Sequence, residues 1–360
     1  MQVILSASDL TKISKQFLCI ASTYPAKLVR FPDLDPDVPS DAVMIADFLA
    51  APLDHLHHLK ALRDRSGFRM IGLVDLQNRR QVMQVRELGC HELVDRNDSS
   101  NTLLGKLRGK LGDYAQPQLD GSVCEQVRVA VTHTCASLNE MTAAALNGTP
   151  LPVRKLVESA RDIAATIESE GIDAWLSAVQ QHHSHTFCHT MMVTGHTIRF
   201  SKALGLPEPD QIRLGLGALV HDLGKIKIPL SILDKPGRLT DAERKLVNRH
   251  PDHGRQILET SGGMPEDACE IAVSHHEFID GTGYPKGLKG SQISRSVRIV
   301  TICDIYSALT EKRAYKDSYS PRQAFSILNE MDGKLDTKLL RSFRDTVFSN
   351  DLGQLRRAAV

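Results

Sequence analysis

Net charge is almost missing from this 360-residue chain, in which 44 Lys and Arg stand against 43 Asp and Glu. Domains that bind nucleic acid by blanket phosphate neutralisation are usually strongly basic, so that class is excluded, while a local basic site is not. Cys-x-x-Cys pairs are missing as well. The seven cysteines, at positions 19, 90, 124, 135, 188, 269 and 303, are odd in number and scattered, which argues against a disulfide framework or a zinc ribbon. They read as reduced cytosolic thiols. Long apolar runs are also missing: a stretch such as Val43 to Leu53 is broken by Asp47 and is too short to span a bilayer, and the N-terminal Met1-Gln2-Val3-Ile4-Leu5-Ser6 lacks a basic n-region. These absences predict a cytoplasmic protein with neither a membrane nor a nucleic-acid polymer as partner. A 41% hydrophobic and 24% charged composition excludes disorder over most of the length. At roughly 100–200 residues per domain, the length predicts two domains.

Histidine is what the chain has in excess. Ten of its 15 histidines lie between His182 and His276, about a quarter of the chain, where even scatter would place four. The chemistry is therefore sought there.

The first ~110 residues alternate short β-rich apolar runs with helical patterns, the signature of a parallel α/β sheet. The expected strands are Gln2–Ser6, Lys27–Phe31, Ala42–Phe48, Arg69–Val74 and Glu92–Val94, and the expected helices Asp9–Ala21, Leu53–Arg65, Arg79–Glu87 and Ser100–Leu111. This arrangement over residues 1–112 resembles the response-regulator receiver, a flavodoxin-like fold. The resemblance implies a phosphoacceptor Asp near Asp47, an acidic pair after the first strand, a Ser or Thr ending the fourth and a Lys ending the fifth. Here Ser6-Ala7-Ser8-Asp9 offers one carboxylate at best, the fourth strand ends Val74-Asp75, and the fifth ends Asp95-Arg96. Phosphoryl transfer without the Mg²⁺ carboxylates and the Lys lacks its charge stabilisation, so the expectation is a degenerate receiver that is not phosphorylated.

Residues 113–150 read as a linker rich in Pro, Gly and polar residues, followed by a connecting helix over Cys124–Leu146. A second helix is expected over Val153–Glu170, and from there strand-type alternation nearly disappears, so residues 151–360 are expected to be all-α. The connecting helices could pair two protomers into a homodimer.

Within that second domain stand, in order, His189, His221-Asp222, His250, His275-His276 and Asp304, the imidazole and carboxylate set suited to Zn, Mn or Fe. The small residues in Leu214–Val220 would let neighbouring helices approach closely. Adjacent helix residues diverge by about 100°, so His221 could serve one metal while Asp222 reaches sideways to bridge two. Gly224 and Lys225 would end that helix. The loop Asp280-Gly281-Thr282-Gly283-Tyr284-Pro285 has two glycines that permit φ > 0 and a proline that stiffens its exit, as suits a substrate mouth.

These motifs, together with Lys235-Pro236-Gly237, Leu239-Thr240, His250-Pro251 with Gly254, and Arg298-Ile299-Val300, resemble the HD-GYP family, a subset of the HD superfamily, over roughly residues 150–350. The resemblance implies a helical HD domain with two or three divalent metals, usually Fe or Mn, hydrolysing cyclic di-GMP by attack of a metal-bridging water. It implies His189, His221, Asp222, His250, His275, His276 and Asp304 as metal ligands, with Asp222 bridging. It also implies that Lys225 contacts the scissile phosphate, with Arg313 and Lys316 as further phosphate contacts. Tyr284 is the candidate for stacking on guanine or for presenting the loop to a partner such as a GGDEF-type cyclase.

Two positions depart from the family pattern. His185 stands four residues before His189, where members with a third metal carry a carboxylate, so a dinuclear site that yields mainly pGpG is expected, with His185 as the candidate third-metal ligand. Ser307 stands where an Asp is usual, which weakens any orienting hydrogen bond that Asp supplies. Two other readings stay open: a non-hydrolysing module that binds cyclic di-GMP or docks a GGDEF protein, and a hydrolase of another cyclic dinucleotide such as cyclic GMP-AMP.

Overall fold

Val3–Ala7 (β1), Val43–Asp47 (β3) and all but the first residue of Arg69–Val74 (β4) are buried, whereas Ala26–Arg30 (β2) is only partly so. Continuous apolar runs of this kind belong to parallel strands covered on both faces. With Glu92–Asp95 (β5) they form a five-stranded, wholly parallel sheet in the order β2-β1-β3-β4-β5, in which Ala7 lies beside Asp47 and Asp47 beside Leu73. This is an α/β unit. The computed structural model describes the chain except residues 1–2, 11–12, 14–16, 18–19, 21–25, 50, 91, 99–118, 120, 182–184, 234, 236, 313–317 and 358–360. Leu53–Ser66 (α1) and Arg79–Glu87 (α2) lie where the spacing predicts them, while the expected helices Asp9–Ala21 and Ser100–Leu111 fall largely or wholly outside the described residues.

Helix α1 packs Leu56, Leu59 and Leu62 into a core with Phe31, Met44, Phe48, Phe68 and Met70, and each such side chain contributes ~1.5–3 kcal/mol by leaving water. The helix stops at Gly67, which takes a φ of +70° and turns its N–H to Arg63 O at 2.7 Å, the usual αL termination. Asn78 starts α2 by accepting the Gln81 N–H.

The other elements among the described residues are helical. Glu125–Asn147 (α3), Val153–Glu170 (α4) and Ile172–Val179 (α5) are followed by His185–Ala203 (α6), Glu208–Val220 (α7), Leu230–Leu233 (α8), Asp241–Val247 (α9), His250–Ser261 (α10) and Glu266–Ser274 (α11). Arg295–Thr310 (α12), Pro321–Glu330 (α13) and Thr337–Arg357 (α14) complete the chain. Cα proximity divides the molecule into residues 1–116, 142–149 and 229–238 on one side, and 117–141, 150–228 and 239–360 on the other. No helix among the described residues is long and apolar enough to cross a membrane.

In the helical unit, α6 and α7 pack along each other, with α12 on α6 and α11 on α7. Phe200, Leu214, Ala218, Ile271, Val297, Val300, Cys303 and Phe343 make one core between them. Close packing at α7 needs Gly217, where a Cβ would lie 2.4 Å from Ile271 Cδ1, as the small residues of Leu214–Val220 lead one to expect. This packing brings α6, the end of α7, the start of α10, the end of α11 and the middle of α12 to one place.

Candidate metal centre

The seven predicted ligands converge there. His189 comes from α6, His221 and Asp222 from just past α7, His250 from the first position of α10, His275 and His276 from just past α11, and Asp304 from α12. All are buried except His276, whose side chain is 24% exposed and forms the open side. Donor atoms of three overlapping groups lie within 4.8 Å of one another: His189, His221 and Asp304; His221, Asp222 and His275; and His250, His275 and His276.

Asp222 stands between the first and last of these groups. Its Oδ1 is 3.3 Å from His250 Nε2 and 3.9 Å from His275 Nε2, while its Oδ2 is 3.3 Å from His221 Nε2 and 3.9 Å from His189 Nε2. The local backbone differs from expectation here. Helix α7 ends at Val220, not at Gly224–Lys225; His221 caps it, Asp222 leaves helical geometry at φ −97° and ψ 7°, and Leu223–Lys227 forms a 3₁₀ turn. The cause is close approach: a Cβ on Gly224 would lie 1.8 Å from His250 O and 2.5 Å from Gly254 N. Only glycine lets the turn press against α10 and carry Asp222 beside His250.

His221, His250 and His275 direct Nδ1 to main-chain carbonyls, at 2.7 Å to Ala218 O, 2.8 Å to Val247 O, and 3.2 Å to both Ile271 O and Ala272 O. A carbonyl only accepts, so Nδ1 carries the hydrogen and Nε2 presents a lone pair inward. Burial pushes His250 down to about 4, His275 well below the usual range and His276 down to about 3, which keeps these rings neutral and ready to donate. Burial works against a charged His189 too, but the Asp304 and Glu311 carboxylates outweigh it and raise the ring to about 9. Burial likewise opposes the charge on Asp222 and Asp304. Lys225 with the surrounding imidazoles holds Asp222 well below the usual carboxylate range, and His189 does the same for Asp304 from 2.9 Å.

The cluster does not satisfy itself. His221 Nε2 and Asp222 Oδ1 are buried without a hydrogen-bond partner, an expensive arrangement that a cation between the donors would relieve. Neutral imidazole nitrogens and ionised carboxylates are a donor set for a divalent transition metal. The residues present therefore fit a metal site.

Lys225 Nζ is 2.5 Å from Asp222 Oδ2, with its side chain 27% exposed at the mouth. Tyr284 lays its ring over His276 at 4.7 Å between centroids, tilted by 32°, and burial pushes its phenol up. Its loop is held by Glu277, a buried carboxylate that accepts the N–H of Lys286 at 2.6 Å and of Leu288 at 2.9 Å. Of the two loop glycines, only Gly281 uses a positive φ, +83°. Gly283 does not; a Cβ there would lie 2.4–2.5 Å from Phe278 N, Glu277 Cα and His276 O, so its requirement is space.

Arg313 and Lys316 lie outside the described residues, and so does the side chain of His185, the first residue of α6. Ser307 is fully buried, and its hydroxyl has no hydrogen-bond partner. His196 joins Tyr306 and Phe343 in an edge-on aromatic cluster, and burial pushes it down to about 3, as befits a core residue. Two carboxylates escaped the sequence reading of the site. Glu277 was visible within the His275-His276-Glu277 run but had no role, and Glu311, 2% exposed and 3.6 Å from His189 Nδ1, was signalled only by standing seven residues after Asp304.

Residues 175–339 of this helical unit, with a His-Asp pair at the centre of a histidine cluster, match the HD domain family. The Gly283-Tyr284-Pro285 loop over His276 is the feature that carries the resemblance to the HD-GYP subset of that family. Cyclic di-GMP phosphodiesterase PA4108 of Pseudomonas aeruginosa is 38% identical over 173 residues, covering 48% of this chain and 42% of that protein. The 3'3'-cGAMP-specific phosphodiesterase 1 of Vibrio cholerae is 39% identical over 156 residues, covering 43% of this chain and 36% of that protein. The chain thus spans less than half the length of these curated relatives. Among solved structures, Bd1817, an HDG"Y"P protein from Bdellovibrio bacteriovorus, superposes with a TM-score of 0.51 at 18% identity, over 71% of this chain and 88% of that one, a likeness of fold.

Proposed function

We propose that the helical domain is a two-metal phosphodiesterase that hydrolyses cyclic di-GMP to pGpG, with His189, His221, Asp222, His250, His275, His276 and Asp304 as ligands. The observation that carries this reading is Asp222, whose two carboxylate oxygens face different histidines, Oδ1 toward His250 and His275 and Oδ2 toward His221 and His189. A carboxylate so placed suits two neighbouring cations. Fe or Mn is the expected metal. Metals held there would supply Lewis-acid charge to a phosphodiester and acidify the attacking water.

The chain's own residues do the rest. Asp222 and Asp304 stay ionised at neutral pH, and His250, His275 and His276 stay neutral, so these five donors already hold the protonation states a metal requires, while His189, raised to about 9 by Asp304 and Glu311, gives up a proton on binding. Lys225, partly exposed beside Asp222, can turn its ammonium to a phosphate oxygen and offset the charge that grows there. Tyr284, fixed by the Glu277-held loop, supplies an aromatic wall beside His276 on which a nucleobase can stack.

Protein purified without air, loaded with Fe or Mn and incubated with cyclic di-GMP, is expected to yield pGpG on chromatography. Absence of metal-dependent turnover under those conditions overturns the reading. A second substrate has a specific basis, since relatives named for cyclic di-GMP and for 3'3'-cGAMP match at 38% and 39% identity. A panel that places cyclic GMP-AMP ahead of cyclic di-GMP in kcat/KM would reassign the substrate and leave the chemistry unchanged.

For the N-terminal unit we infer a degenerate, flavodoxin-like receiver. The strand order β2-β1-β3-β4-β5 supports the fold. The Arg96 guanidinium 2.6 Å from Asp47 Oδ1 supports the loss of phosphoacceptor function.

A further inference from the structure

Three histidines of the centre have Nδ1 turned to a main-chain carbonyl three or four residues earlier in the chain. His189 has none. Its Nε2 meets Asp304 Oδ1 at 2.9 Å, and its buried Nδ1 faces the Oε2 of Glu311 at an ion-pair distance of 3.6 Å. Glu311 is the residue just past α12, anchored by its N–H to Ser307 O at 2.8 Å, and is 2% exposed. A carboxylate, like a carbonyl, accepts and does not donate. It can therefore do for His189 what the main chain does for His221, His250 and His275, with a negative charge added.

We propose that Glu311 is a positioning residue of the metal centre, acting through His189. Its carboxylate keeps the ring hydrogen on Nδ1, leaves Nε2 as the donor aimed at the cluster, and makes the imidazole a stronger ligand. Carboxylates that back a ligating histidine in this way have measurable weight, typically ~10–100-fold in metal affinity. The proposal rests on the reading of the cluster as a metal site. It also explains the burial of a glutamate at this position, since Glu311 faces a ligand and not the solvent.

The test is metal retention. The full chain, loaded with Mn²⁺, is dialysed against a graded chelator series, and bound metal is measured for the wild type, Glu311→Gln, Glu311→Ala and His189→Ala, alongside melting of each metal-free protein. The chelator concentration that removes half the metal is expected to fall about 10–100-fold in Glu311→Ala. In Glu311→Gln the fall should be smaller, because an amide oxygen can still face the Nδ1 hydrogen, without the charge. A purely structural role would shift metal-free melting and leave retention in Glu311→Gln at the wild-type value; that result, with His189→Ala losing metal, overturns the proposal alone. A wild-type chain that takes up no metal overturns the metal reading and this proposal together. Should Glu311→Ala fail to fold, the nearly isosteric Glu311→Gln carries the test.

Discussion

Each unit of the chain buries an aspartate at the end of an apolar element, and the two are neutralised in opposite ways. Asp47, at the end of β3, has the guanidinium of Arg96 at 2.6 Å, with side-chain exposures of 1% and 10%. It also accepts the Leu49 N–H at 3.1 Å. Asp222, beyond α7, has a lysine on one oxygen and imidazoles around both, and its Oδ1 ends without a hydrogen bond. A buried carboxylate closed by its own arginine is scaffold. One whose oxygens face imidazole nitrogens on both sides, with Oδ1 left without a hydrogen bond, calls for a cation from outside.

The comparison breaks most visibly at Asp222. Asp222→Asn should lower metal-dependent turnover by more than about 100-fold, beyond the usual loss for a residue that only backs a ligand. Formation of pGpG followed by chromatography measures it, and retention of a tenth of the activity would contradict the shared-carboxylate reading. At Asp47 the loss should be one of stability. Arg96→Ala strands a buried charge and should cost about 3–5 kcal/mol in urea unfolding, whereas Asp47→Ala with Arg96→Ala together should cost less than Arg96→Ala alone.

Glu277→Ala comes next. It leaves the N–H groups of Lys286 and Leu288 without their acceptor, a cost of about 2 kcal/mol, and should loosen the Tyr284 loop. A rise in KM larger than the fall in kcat is the expected signature. A smaller effect separates the two units by their thiols. Burial pushes Cys90 up to about 11 and Cys303 up to about 12, so alkylation of either requires opening of the fold. Added metal should slow alkylation of Cys303, next to Asp304, and leave Cys90 unchanged, as peptide mass spectrometry would show. The smallest expected effect is none at all: a small phosphodonor should leave Asp47 unlabelled, because Arg96 already occupies its carboxylate.

Elements set by local pattern were legible in the sequence. Strand β4 and helices α2 and α4 match expectation residue for residue, and the other described strands differ by one residue at their ends. Those signals are burial periodicity and turn residues, which act over a few positions. The proposed ligand set was legible because its residues stand in one ordered motif, and the fold brings those residues together. What depends on approach between distant segments was not. The early end of α7 follows from Gly224 meeting the backbone of α10, and the role of Gly283 follows from the backbone of residues 276–278. Ser307 read as the loss of a carboxylate, while the carboxylate one turn later, Glu311, becomes visible only once α12 is laid against His189.

Counting metal on the purified chain tests the central claim most directly. Elemental analysis of anaerobically loaded wild type should find two metal ions per chain, and Asp222→Ala should lose both, because one carboxylate serves both positions. A wild-type chain with a single ion, or an Asp222→Ala chain that keeps two, would contradict it.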